Sequence, residues 1–192
     1  MIVALVRHGA AQQADILGQR PQARLTREGV AQVQNAAGGL KLYKPEVIYS
    51  SPAVRALETA EILGRCLGAT VQTVAALREF DFGIWDGKRP DELTGSATWS
   101  RFNQQRSVVG APGGETMVQV QRRVVNFLDS LMLEVPKGAI QKPVVCVSHL
   151  DVLRAANCHH LQISLDEWMT IAMEPGAMRV LEWRRQPALS PE

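Results

Sequence analysis

Apolar residues along the chain gather in two kinds of run. Ile2–Val6 and Val144–Val147 are short and unbroken, with β-branched members, as in strands buried on both faces. Val47-Ile48-Tyr49 and residues 71–74 are two further short strands by the same reading. Between them lie longer stretches with apolar positions spaced by three and four. Residues 26–42 read as a helix with Thr26 as its N-cap. Ser51-Pro52 offers an N-cap and a first-turn proline to a helix with Ala56, Ala60, Leu63 and Leu67 on one stripe. A long helix starts at Glu115 and repeats Met117, Val120, Val124, Leu128 and Leu131. Another follows the 144–147 strand to about Leu161. Trp168–Met173 and Met178–Trp183 read as two closing strands joined by Pro175-Gly176.

Strands alternating with helices predict an α/β sandwich with a mainly parallel sheet. One domain over residues 1–185 is expected, with a loose tail at 186–192. Residues 84–114 break the alternation with glycines at 87, 95, 113 and 114 and prolines at 90 and 112. They are expected to form an excursion with short helices that covers a site.

Composition narrows the class. A length of 192 residues suits one compact domain, and 46% apolar with 21% charged residues excludes a disordered chain. A net charge of +2 argues against the broad basic surface of a nucleic-acid or membrane binder. Arginine supplies 16 of the 21 cations, which suits phosphate binding but also follows from codon usage. Cys66, Cys146 and Cys158 form no CxxC pair and suit reduced thiols. With neither a signal-like start nor a membrane-length apolar stretch, a soluble cytoplasmic protein is expected.

In parallel sheets, ligands bind beyond the carboxyl ends of the strands. Arg7-His8-Gly9 follows the first strand, and Arg55 opens the helix after the second. Arg78-Glu79 lies after the third strand and Ser148-His149 after the fourth. Each feature alone is commonplace: a packed histidine, a solvated arginine, a surface carboxylate. Together they set two histidines, two arginines and a carboxylate on one sheet edge. That set suits phosphoryl transfer through a covalent histidine. A neutral imidazole attacks phosphorus while fixed cations hold the equatorial oxygens. In that scheme His8 is the nucleophile, and Arg7, Arg55 and a protonated His149 hold the phosphate. Glu79 gives a proton to the leaving oxygen and then activates water. Gly9 leaves room for close backbone approach. The scheme requires no metal and no cofactor.

The chain resembles the histidine phosphatase superfamily, in the branch that includes cofactor-dependent phosphoglycerate mutase. The resemblance rests on Arg7-His8-Gly9, residues 50–60 (SSPAVRALETA), residues 77–87, Pro112-Gly113-Gly114-Glu115-Thr116 and Val147-Ser148-His149, in order across nearly the whole chain. It implies a three-layer α/β/α sandwich, His8 as the phosphorylated residue, Arg7, Arg55 and His149 as the phosphate pocket and Glu79 as the proton donor. Residues 77–87 are most similar to the small phosphatases, α-ribazole phosphatases included. The chain departs from the pattern at Ala10 and Ala11, where the family commonly has Glu and Thr or Ser, and at Leu150, where it commonly has Gly. Gln12 or Gln13 is a candidate substitute for the missing polar groups.

The implied function is hydrolysis of a small phosphorylated metabolite, with no nucleic-acid or membrane partner and a homodimer as the one assembly left open. The alternatives are a bisphosphate-primed phosphoglycerate mutase, a weakly catalytic phospho-ligand-binding domain and, further off, a protein phosphohistidine phosphatase. Other features have two readings. Cys158-His159-His160 is a packing element or a metal cluster. Trp85, Trp99 and Phe102 form either an apolar wall over substrate or the small core of the excursion. Lys88, Arg89, Arg101 and Arg106 are expected in solvent, unless one reaches the substrate. Glu115 is either a first-turn helix carboxylate or a pocket-edge residue.

Overall fold

The computed structural model describes residues 1–19, 22–133 and 142–186. The elements run β1 (Ile2–Arg7), α1 (Arg27–Leu40), β2 (Val47–Ser50), α2 (Val54–Leu67), β3 (Thr70–Thr73), α3 (Ala97–Gln104), α4 (Met117–Leu133), β4 (Val144–Ser148), α5 (Leu150–Leu161) and β5 (Met178–Glu182). The sheet order is β3-β2-β4-β1-β5. The pairings among the first four strands are parallel, and β5 is antiparallel on the β1 edge.

Alternation along the strands builds two cores. Val3, Leu5 and Cys146 face α4 and α5, against Val120, Val124, Leu128, Val152 and Ala156. Ala4, Val6, Val145 and Val147 face the other way, against Val33, Ala37 and Leu40 of α1 and Ala56, Ala60 and Leu63 of α2. The expected three-layer α/β/α sandwich results, because the central strands have no solvent face to keep polar. Register then sets the level of the strand ends. Arg7 pairs with Ser148, so His8 and His149 leave the sheet side by side.

Thr26 caps α1 as expected, its hydroxyl accepting the Gly29 N–H at 3.1 Å. Gly29 has a second duty. Its α carbon lies against the backbone of Ala10, and Gly9 in turn would place a Cβ 2.6 Å from the Gly29 carbonyl oxygen. The close approach that Gly9 permits is therefore to α1. Gly29→Ala should cost about 1–3 kcal/mol through overpacking, read as a lower denaturation midpoint. It should also cost activity, since the displaced backbone carries His8.

Three sequence expectations are corrected. The N-cap of α2 is Ala53 rather than Ser51; the Ser51 hydroxyl accepts the Ala53 N–H at 3.3 Å and turns to His149. Residues 168–173 are not a strand: a short 3₁₀ helix spans Leu165–Thr170, started by a Ser164/Glu167 capping box, and one strand closes the fold. The long helix begins at Met117 rather than Glu115.

Residues 83–85 and 90–93 form 3₁₀ turns, followed by α3. Trp85 and Phe102 are buried, with Trp99 packed beside them in ring contact with both. These aromatics are the core that fastens the excursion to the sandwich. His159 and His160 pack against Trp183, with ring centroids 5.8 Å away in each case. No helix among the described residues is long and apolar enough to cross a membrane.

Candidate active site

The structure brings together the strand-end residues singled out from sequence. His8 Nδ1 lies 2.8 Å from the Gly9 carbonyl. A carbonyl only accepts, so Nδ1 carries the ring proton and Nε2 holds the lone pair. Arg55 donates its Nε–H to that lone pair at 3.3 Å. Burial first, and then the charge of Arg55, pushes the imidazole down to about 3, so it is neutral at any ordinary pH. The turn behind it is pinned by Thr59, whose hydroxyl accepts the Gly9 N–H at 3.1 Å and donates to the Arg55 carbonyl at 2.8 Å. One helix thus positions both His8 and Arg55.

Arg55 is 7% exposed and reaches further. Its Nη2 is 3.4 Å from Glu79 Oε2 and donates to the Gly18 carbonyl at 3.3 Å. Arg7 is tied through Nη1 to the Met173 carbonyl at 2.7 Å, while its Nε is buried without a hydrogen-bond partner among the described residues. The second glutamate oxygen, Oε1, accepts the Phe80 N–H at 2.8 Å. Burial pushes Glu79 up to about 7, opposed by Arg55 and Arg123 and reinforced by the charge of Asp151.

His149 is fully buried, with Nε2 2.7 Å from the Ser51 hydroxyl. Its Nδ1 is 3.3 Å from Glu79 Oε2 but lacks the alignment of a hydrogen bond. Burial, then Arg55 and the other cations, hold His149 well below the usual histidine value. These surroundings favour the neutral ring over the imidazolium. The two histidine rings meet edge to face at 5.2 Å.

A clamp around residues 76–81 aims Glu79, and sequence reasoning missed most of it. Arg123 of α4 donates to the Ala76 carbonyl at 2.6 Å and to the Glu79 carbonyl at 3.3 Å. It also grips Glu115 with two nitrogens, at 2.9 and 3.0 Å. Glu115 accepts the Asp81 N–H at 3.0 Å, and Arg78 lies 3.3 Å from its other oxygen. Glu115 is therefore a strut that fixes the loop carrying Glu79. Glu115→Ala should cost about 3 kcal/mol, as a half-buried cation cluster loses its carboxylate. The melting temperature should fall, and kcat more than KM should change.

Gln12 and Gln13 are exposed, and the amide that reaches the site is Gln19, donating to the Glu79 carbonyl at 2.8 Å. Arg106, expected in solvent, is 2% exposed and bonded to Asp151. Nothing in local spacing signals either contact, because both partners are distant in sequence.

A family model described as the histidine phosphatase superfamily (branch 1) matches residues 3–189. The chain belongs to the histidine phosphatase superfamily. Glucosyl-3-phosphoglycerate phosphatase of Mycobacterium tuberculosis (strain CDC 1551 / Oshkosh) is 30% identical over 191 residues, covering 94% of this chain and 82% of the relative. A probable phosphoglycerate mutase of Yersinia pestis (strain Pestoides F) is 34% identical over 154 residues, covering 77% of this chain and 68% of that protein. The native structure of the mycobacterial glucosyl-3-phosphoglycerate phosphatase aligns with a TM-score of 0.81 at 27% identity, covering 94% of this chain and 89% of that one. This member of the superfamily is a phosphatase.

Its departures from the superfamily pattern have local explanations. Ala10 turns its N–H to Gln32 of α1 at 2.8 Å, and Ala11 is buried beside a bridge to Leu25. That stretch is spent on packing against α1. Leu150 packs on the α4/α5 core.

Proposed function

We propose that this phosphatase hydrolyses a small phosphomonoester through a phosphohistidine on His8. One observation carries the reading: the His8 Nε2 lone pair, the Arg55 guanidinium and Glu79 Oε2 are consecutive within 3.3 and 3.4 Å. Arg55 caps the nucleophile through its Nε–H. An incoming phosphate dianion draws that guanidinium onto its own oxygens and leaves Nε2 free to attack.

Attack forms the N–P bond and breaks the ester P–O bond in line. The departing oxygen takes the Glu79 proton and leaves as an alcohol. Glu79 is then a carboxylate next to the phosphoryl group. It accepts a proton from water as the water oxygen attacks phosphorus and the N–P bond breaks. Inorganic phosphate departs with His8 neutral and Glu79 protonated again. Arg7 and Arg55 supply fixed positive charge, the dominant requirement of phosphoryl transfer. His149, whose burial among cations disfavours the imidazolium, gains a proton more readily with a phosphate dianion beside it. The free thiols of Cys66, Cys146 and Cys158 fit a reducing, cytoplasmic setting.

The test is phosphate release from sugar phosphates, phosphoglycerates, phosphoserine and α-ribazole phosphate, with His8→Ala as control. Release above the control from at least one compound supports hydrolysis. Movement of phosphate between positions of phosphoglycerate, with no release, supports the mutase instead. No turnover at all supports a binding domain.

A further inference from the structure

Arg106 and Asp151 form a buried pair that the reaction scheme leaves unused. Asp151 occupies the first turn of α5, two residues beyond His149, and is 9% exposed. Its Oδ2 accepts from Arg106 Nη1 at 3.3 Å. Arg106 arrives from the excursion, just beyond α3. Its guanidinium carbon lies 3.8 Å from the Phe102 ring centre and 4.0 Å from that of Trp168, and Nη2 donates to Asn103 at 3.0 Å. Two aromatic rings and an amide thus hold the cation in one place, a costly arrangement for a side chain with only a structural task that an apolar residue could fill. The carboxylate it holds lies on the first turn of α5, whose N-cap His149 is 3.3 Å from Glu79 Oε2.

We propose that Asp151, held by Arg106, is a positioning residue that sets the charge felt by the Glu79 carboxyl and so keeps the proton donor loaded. The inference rests on Glu79 acting as proton donor. Around Glu79 stand Arg55 of α2 at 3.4 Å, with His8 bonded behind it, His149 at the start of α5 at 3.3 Å, and Arg123 of α4, which donates to the Glu79 carbonyl; the charges of Arg7 and of Arg106 from the excursion also act on it. Cations dominate that set, and each favours the carboxylate. Asp151 is the negative group opposing them, and it faces Arg7, Arg106 and Arg154 as well. Because Arg106 is the excursion's contribution, the pair also couples the excursion to the acid.

The test compares kcat/KM against pH for an alkyl phosphomonoester and for p-nitrophenyl phosphate, in wild type, Asp151→Asn, Arg106→Gln and Glu79→Gln. Asp151→Asn keeps the shape and an acceptor oxygen. It should move the descending alkaline limb for the alkyl ester to lower pH by about 0.5–1 unit. Arg106→Gln removes the cation bonded to Asp151 and should move the limb to higher pH. p-Nitrophenyl phosphate, whose leaving group needs no proton, should show neither shift. Far-ultraviolet circular dichroism checks that each variant is folded. Uniform loss of activity with unmoved limbs, or two shifts of the same sign, overturns the proposal. If Glu79→Gln fails to separate the two substrates, the proton-donor reading itself falls; if it separates them and Asp151→Asn moves nothing, only this inference falls.

Discussion

Replacing His8 by asparagine removes phosphatase activity by at least about 10⁴-fold, the scale of losing a covalent nucleophile. Asparagine keeps a polar group of similar reach, so the Gly9 turn and the Thr59 pin survive and the fold is unchanged. The loss appears in kcat rather than in KM, because Arg7 and Arg55 still hold the phosphate. Steady-state kinetics with a saturating substrate reads this directly. An asparagine variant that retained a few per cent of wild-type turnover would point to direct attack by water and remove the covalent step.

The second large effect belongs to Glu79. For an alkyl phosphomonoester, Glu79→Gln should lower kcat by about 10²–10⁴-fold, the usual worth of a positioned general acid. With p-nitrophenyl phosphate the first step needs no proton, while hydrolysis of the phosphoenzyme still needs a base. A burst of p-nitrophenol equal to the enzyme concentration, followed by slow turnover, is therefore expected.

The pH dependence follows from the same residue. Glu79 titrates at about 7, so its acid form and kcat/KM for an alkyl ester decline above that pH in wild type. His8, held at about 3, imposes no acid limb above pH 4; the decline on that side follows the second ionisation of the substrate phosphate, near about 6. Stability carries the matching sign. A carboxyl raised from 4.5 to about 7 binds its proton more tightly when folded. Its stabilising effect is present at low pH and is lost as pH rises from 4.5 through 7. Glu79→Gln, which cannot ionise, should thus gain in melting temperature relative to wild type over that interval, although its turnover is slower.

How far the sequence could be read depended on the range of each interaction. β1 and β4 were legible because buried parallel strands need unbroken apolar runs, and Thr26 because capping is local. His8, His149 and Arg55 were legible because each directly follows a strand or opens a helix, and Glu79 because it lies in the loop that leaves the carboxyl end of β3. Ser51 was misread: a serine three residues before α2 satisfies the capping pattern, yet its hydroxyl accepts from Ala53, short of the helix, and pairs with His149 across β2 and β4. Residues 168–173 were misread because alternating apolar residues suit a strand, while the Ser164/Glu167 box that starts a 3₁₀ helix lies upstream. Arg106 looked like any loop arginine, since Asp151, Phe102 and Trp168 meet it only after folding. The protonation of His149 is a property of its burial among cations, which no local pattern encodes.

The most direct measurement of the central claim is the mass of the intact Glu79→Gln protein, mixed with p-nitrophenyl phosphate and quenched under mildly alkaline conditions that preserve phosphohistidine. The account predicts close to one added phosphoryl group per chain, located on His8 by peptide fragmentation and absent from the His8→Asn/Glu79→Gln double variant. A modification on another residue, or none despite a stoichiometric burst, would contradict it.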